Sequence, residues 1–298
     1  MVVGKTVKDQ GELKPHLLRY GEIGTKSPRI RKHFEDILID NIERTFLSRG
    51  KEVVTEKKGF GRIFAYTQHE NSYLFSRIFG IISFSPVKEL NADLEKIKSE
   101  GRNFAKEVTG TFAVRARRVG EHEYTSQDVK DEVGSVILNE NPDLQVDLDE
   151  PESQFHIEIR HSQAYVFTEI EEGPGGLPLS SQGKFAAYIE DRYDFLATWI
   201  MMKRGARPYA FIKDKKWAER LEKWDPNLKM IDVKSFEEML SMDIPEDAKA
   251  LVVGERLEDY SRKKNDMMTI RPLIGFTEER IEKFFETIER LENKDQSR

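Results

Sequence analysis

The chain has 298 residues, enough for two or three domains that each bury a core of their own. Its 48 basic and 54 acidic side chains leave a formal net charge of -6, so any polyanion it binds must meet a local basic patch. There is no cysteine, which excludes disulfides, thiolate-bound zinc, cysteine-ligated iron–sulfur clusters and any persulfide carried on this chain. Charged residues at 34% together with that absence fit a heat-adapted, thermophile protein. No run reaches the roughly 18 apolar residues needed to span a bilayer, and Met1 to Tyr20 lacks the apolar core of a signal peptide, so a cytoplasmic protein with no membrane partner is expected.

The first segment opens with "LLRYGEIGTKSPRIRKHFEDILIDNIERTF", where Ser27 is placed to cap a helix and Pro28 to begin it. Ile30, Phe34, Ile37, Leu38, Ile42 and Phe46 then fall on one face of a 3.6-residue period. "GRIFAYT" and "GIISFSPV" read as short strands on either side of a helix around Asn71 to Phe79. The order of elements suggests a small α+β sandwich. The second segment begins with a polar helix, "LNADLEKIKSEGRNFAKEV", and continues into the strand "TFAVRARRVG". Side chains alternate along a strand, so Phe112, Val114 and Ala116 point one way and Arg115 and Arg117 the other, with Arg118 at the turn. The next helix, "TSQDVKDEVGSVILNEN", buries Val129, Val133, Val136 and Ile137 and stops before Pro142. "FHIEIRH" and "AYVFTEI" complete the unit as strands. His156 and His161 do not share a face reliably, and no metal site is expected.

"GPGGLPLSSQGK", Gly173 to Lys184, is dense in Gly, Pro and Ser and marks a boundary. Beyond it strand and helix patterns alternate through "KFAAYI", "YDFLATWIMMKR", "RPYAFI", "KWAERLEKW", "LKMIDV", "SFEEMLSM" and "AKALVV", the pattern of a parallel sheet flanked by helices. Tyr188, Phe195, Trp199 and Met201 read as core.

Five stretches, "RYGEIGTKSPRIRKHFEDILIDNI", "FAVRARRVGEHEYTSQDVKDEVG", "GGLPLSSQGK", "WIMMKRG" and "IRPLIGFTEERI", stand in the order found in the tRNA 4-thiouridine synthetase family, which the chain resembles along nearly its whole length. The resemblance implies α+β and α/β folds: a ferredoxin-like N-terminal domain (1–85), a THUMP RNA-binding domain (86–172), a linker (173–184) and a Rossmann-like parallel-sheet domain of the PP-loop type (185–298). Active members carry a Gly-rich SGGxDS loop after the first strand of that last domain, whose backbone N–H groups approach ATP phosphates. Here the segment is Ile189-Glu190-Asp191-Arg192-Tyr193-Asp194-Phe195, with neither the glycines nor the serine. Asp194 is the one residue that aligns near the motif's aspartate. The cysteine that takes sulfur in the family is missing as well.

The resemblance therefore implies a tRNA-binding protein for tRNA modification that recognises the acceptor end through its THUMP domain, with a degenerate PP-loop domain. Arg115, Arg117, Arg118 and Lys184 are candidate RNA contacts, as are Lys26, Arg29, Arg31 and Lys32 at a helix start where the dipole favours an anion. The competing reading of the arginines is a solvated strand face neutralised by Glu121 and Glu123. The competing function is an active tRNA 4-thiouridine synthetase that binds ATP and Mg through an altered loop and takes sulfur from a partner protein or as free sulfide. Catalytic residues stay unassigned, no cofactor is expected under the first reading, and the resemblance suggests a homodimer.

Overall fold

The computed structural model describes residues 12–57, 61–258 and 267–295; of the N-terminal stretch read for a leader, Met1 to Gly11 lie outside the described residues. Residues 14–17 and 85–171 form one compact unit, and the other described residues form the second. No described helix is long and apolar enough to cross a membrane.

The ferredoxin-like part carries strands β1 (Lys14–Arg19), β2 (Val54–Lys57), β3 (Ile63–Thr67) and β4 (Ser83–Pro86) and helix α1 (Pro28–Ser48). Ser27 is the N-cap of α1 and Pro28 its first residue, as the sequence predicts, and Phe34, Leu38, Ile42 and Phe46 are buried. Ile37 is half-buried and Ile30 exposed. The helix expected around Asn71 to Phe79 is instead a 3₁₀ stretch, His69–Arg77. Ser72 and Ser76 donate their hydroxyls to the carbonyls of His69 and Tyr73 three residues back, and Ser76 also reaches the Leu291 carbonyl, so this stretch is fitted to the last turn of the chain's final α-helix.

The second unit holds β5 (Lys88–Asn91), α2 (Leu94–Glu107), β6 (Thr111–Val119), α3 (Ser126–Glu140), β7 (Gln145–Val146), β8 (Ser153–Arg160) and β9 (Gln163–Phe167), in the sheet order β5-β9-β8-β6-β7. The sequence reading began α2 at Leu90, but Leu90 and Asn91 pair with β9, and α2 starts only after Asp93, whose carboxylate accepts from the N–H groups of Glu95 and Lys96. Val129, Val133 and Ile137 of α3 pack with Ile97 and Phe104 of α2 and Phe112 and Val114 of β6, whereas Val136 is half-buried. A two-residue strand β10 (Glu171–Glu172) joins the first sheet, whose order is β10-β4-β1-β3-β2.

The C-terminal part runs β11 (Lys184–Ile189), α4 (Arg192–Lys203), β12 (Arg207–Ile212), α5 (Lys215–Glu222), β13 (Lys229–Asp232), α6 (Phe236–Ser241), β14 (Ala248–Val252), β15 (Thr269–Ile270) and α7 (Glu278–Glu292). Every pairing is parallel, in the order β13-β12-β11-β14-β15. Right-handed crossovers place helices on both faces of such a sheet. Phe195 and Trp199 have no exposed surface and Tyr188 is buried, while Met201 is half-buried.

The ferredoxin-like part and the parallel-sheet part share core. Phe79, which follows the 3₁₀ stretch, lies 5.5 Å from the Trp199 ring and 5.4 Å from that of Trp224, and the two indoles are 5.3 Å apart edge to face. Beside this cluster the Glu292 carboxylate, buried at the end of α7, accepts from Arg220 Nε at 2.9 Å and Trp224 Nε1 at 3.0 Å, and its carbonyl accepts from Arg77. The Gly173 to Lys184 segment is a packed strap, not a loose tether. Gly175 N donates to Ile81 O, Leu177 N to Lys203 O, and Asn41 Nδ2 to Leu179 O. A Cβ on Gly176 would stand 2.1 Å from the Lys203 carbonyl oxygen, so glycine is there for close approach.

Replacing Phe79 with Ala removes the ring shared by both parts and is expected to cost about 3–5 kcal/mol. Urea unfolding followed by tryptophan fluorescence measures it; a loss below about 1 kcal/mol would mean that Phe79 does not join the two parts.

Candidate nucleic-acid interface

Strand β6 lies between β7 and β8, with Arg115 opposite His156 and Arg117 opposite Glu158. Its helix-facing residues Phe112, Val114 and Ala116 pack on α2 and α3, which fixes the register and sends Arg115 and Arg117 to the other face. Arg115 is tied down: its Nη2 donates to the Leu148 carbonyl at 2.7 Å and its Nε to Gln154 Oε1 at 3.3 Å. Arg117 is exposed and has no hydrogen bond or ion pair among the described residues.

Arg118, placed at the turn by the sequence reading, is inside the strand, on the alternation of Ala116. Its Nη1 donates to the Gly120 carbonyl at 3.0 Å and approaches His122 Nδ1 at 3.2 Å, while His122 Nε2 is 2.6 Å from the His161 carbonyl. An N–H at Nε2 and an acceptor at Nδ1 satisfy both contacts, so Arg118 clasps the loop after β6 to the turn after β8. Neither Glu121 nor Glu123 makes an ion pair with these arginines among the described residues.

A second cationic group sits at the start of α1. Ser27 makes no side-chain capping bond, and the first turn has no acidic residue, so the helix dipole there is uncompensated. Arg31 Nη2 donates to the Lys26 carbonyl at 2.8 Å, whereas Lys26, Arg29 and Lys32 have no ion pair among the described residues. Lys184, the first residue of β11, is engaged: its Nζ is 2.6 Å from Asp247 Oδ2 and 3.1 Å from the Tyr209 hydroxyl. Those two partners hold its ammonium above the usual lysine range.

The carboxyl edge of the parallel sheet is where open α/β folds bind ligands, at the point where strand order reverses. Here that point lies between β11 and β14, with Glu190, Asp191 and α4 at its mouth. Asp191 Oδ1 accepts from the N–H groups of Tyr193 and Asp194 at 2.8 and 3.0 Å. Asp194 Oδ1 accepts from Gly254 N at 2.8 Å, and its Oδ2 from Glu190 N at 3.2 Å. The loop after β14 rests directly on the first turn of α4, because a Cβ on Gly254 would stand 2.3 Å from the Tyr193 carbonyl carbon. Four backbone donors at this mouth thus point at the protein's own carboxylates. Burial, and then the charge of Asp191, push the Asp194 carboxyl up to about 7. Among the described residues no group of three or more His, Asp or Glu is disposed to hold a metal ion.

Comparison with known proteins follows the same division. A profile of the THUMP domain matches residues 91–169, and one of the ThiI ferredoxin-like domain matches residues 16–85. In these two domains the chain resembles the tRNA 4-thiouridine synthetase family. It is 31% identical to PH1313 from Pyrococcus horikoshii, with 93% of this chain and 99% of that one covered at a TM-score of 0.80, and the two belong to one family. The protein named "Probable tRNA sulfurtransferase" of Methanothermobacter thermautotrophicus is 37% identical over 209 residues, 66% of this chain and 52% of its own. Its namesake in Sulfurisphaera tokodaii is 40% identical over 190 residues, 62% and 50% of the respective chains, so this chain spans about half the length of these curated relatives. A 4-thiouridine synthetase solved with RNA and bound ATP shares the fold, at 24% identity and a TM-score of 0.72 over 94% of this chain and 86% of that one.

The sequence named the cations but missed Asp247 and Gly254 as partners of Lys184 and Asp194. Each lies about sixty residues along the chain from the group it meets, and no local pattern marks it.

A carboxyl whose pKa rises from about 3.9 unfolded to about 7 folded holds its proton more tightly in the native state, so native stability falls as pH rises from about 4 to 7. Asp194→Asn is expected to flatten that slope. Urea midpoints at pH 5 and pH 8 test it, and an equal slope in the variant would show that Asp194 is not the titrating group.

Proposed function

We propose that this chain binds tRNA through its THUMP domain, with Arg115 and Arg117 on the RNA backbone, and that its C-terminal domain does not carry out adenylation or sulfur transfer. Recognition is of the acceptor end, by shape and phosphates. The observation that carries the first half is an exposed arginine, Arg117, with no partner among the described residues, on a strand of a THUMP domain. Phosphate contact supplies the largest share of such affinity and suits an open guanidinium. The cations at the start of α1, Lys26, Arg29 and Lys32 with Arg31, offer a further backbone contact. The solved relative that holds RNA supports the same partner.

For the second half, the supporting observation is the set of N–H groups at the mouth of the sheet. A triphosphate needs such donors, and Asp191 and Asp194 accept from them here, Asp191 adding negative charge as well. With no cysteine in the sequence, the chain has no thiol to take sulfur. In this reading ATP and Mg have no role, and modification of the bound tRNA falls to a partner protein.

Fluorescence anisotropy with unmodified tRNA tests the binding half. Arg115→Ala with Arg117→Ala is expected to weaken binding and to lower the log–log salt slope by about one per lost phosphate contact. Removal of the 3′ CCA is expected to weaken binding too; equal affinity for both RNAs would overturn acceptor-end recognition. Pyrophosphate release from Mg-ATP, with tRNA present, tests the other half. Release that depends on tRNA would show a working adenylation site despite the missing glycines.

A further inference from the structure

The amino edge of the parallel sheet carries the opposite chemistry from its carboxyl edge. Lys184, Arg207 and Lys229 stand at the starts of three adjacent strands, and the register places Lys184 beside Arg207 and Tyr209 beside Lys229, all four on one face. Between them is a cavity of about 60 Å³ lined by Lys184, Arg207, Pro208, Tyr209, Asn227 and Lys229. A space of this kind, walled by cationic and hydroxyl groups, suits a small oxyanion.

The cations of this cavity have different freedoms. Arg207 is committed to the buried Asp225, with Nε to Oδ2 at 2.7 Å and Nη2 to Oδ1 at 2.6 Å, so it forms a wall. Lys229 is exposed, lies over the Tyr209 ring at 5.5 Å, and has no hydrogen bond or ion pair among the described residues. Lys184 and the Tyr209 hydroxyl already hold an oxyanion: Asp247 takes 2.6 Å from the first through Oδ2 and 2.9 Å from the second through Oδ1. Asp247 is itself exposed and precedes β14, where little buries it in place. A pair of phosphate oxygens fits the same two donors.

We infer that this cavity is a phosphate site in which Lys184, Tyr209 and Lys229 hold one backbone phosphate of the bound RNA, with Asp247 as the built-in anion that yields to it. The inference rests on the reading that the chain binds tRNA, and it gives the C-terminal domain a role as an RNA platform through the edge opposite its ligand mouth. Free inorganic phosphate shares the chemistry and is the other source to be distinguished.

The test uses the full chain with two variants at exposed positions, Lys229→Gln and Asp247→Asn, whose unchanged melting temperatures establish that they fold. Lys229→Gln is expected to weaken tRNA binding about three- to tenfold at low salt and to lower the salt slope by about one. Asp247→Asn is expected to tighten binding, a direction that a merely structural role would not produce. If the wild type binds tRNA and both variants bind equally well, the cavity does not meet RNA. If only a titration with inorganic phosphate, followed by tyrosine NMR resonances, responds to Lys229→Gln, the ligand is free phosphate and the RNA assignment is overturned. Should the wild type bind no tRNA at all, the earlier reading fails first and this assignment with it.

Discussion

The aromatic contact of Phe79 with Trp199 and Trp224 is the constraint on which most of this unit depends. A phenyl ring from the end of the 3₁₀ stretch closes the core of the parallel-sheet part, and the indole of Trp224 in turn donates to the buried Glu292. That carboxylate would be costly to bury alone, and Arg220 with the indole N–H satisfies it. Arg77, at the end of the same 3₁₀ stretch, reaches the Glu292 carbonyl, so the final turn of α7 is tied back to the ferredoxin-like part. The strap from Gly173 to Lys184 is laid across this arrangement with its carbonyls and N–H groups paired on both sides.

A domain built into its neighbour in this way is retained for packing whether or not it keeps a ligand site. Where a Gly-rich loop would leave N–H groups open, Asp191 caps α4 and Asp194 bridges Glu190 and Gly254, which satisfies the helix end and fixes the loop after β14. The cost is a carboxylate with little water, visible in the upward shift of Asp194. At this mouth the four backbone donors are taken by the fold's own two carboxylates.

Much of the architecture was legible in the residues. Alternation in "TFAVRARRVG" gave a strand with arginines on one face, the period of Ile30 to Phe46 gave α1, and repeated strand–helix units gave the parallel sheet. The failures are local and have local causes. The stretch His69–Arg77 is bonded to the last turn of α7 through Ser76 and Arg77, contacts no local pattern announces, and cross-strand pairing with β9 claimed Leu90 and Asn91 before α2 could begin. Glycines in "GPGG" read as punctuation, yet Gly176 is required because a carbonyl lies where its side chain would be.

The sequence by itself determined the resemblance, the absence of any thiol, the lack of glycines after β11 and most of the cations that could meet RNA, though not Lys229. Only the tertiary structure brought in Lys229 and decided which cations are open. Arg115 is held by Leu148, Arg118 by the loop that contains His122, and Lys184 by Asp247, whereas Arg117 and Lys229 have no such partner among the described residues. The physical reason is that a cation is engaged by the acceptors within a few ångströms of it, and the Leu148 carbonyl and the Asp247 carboxylate reach that distance from 33 and 63 residues away along the chain.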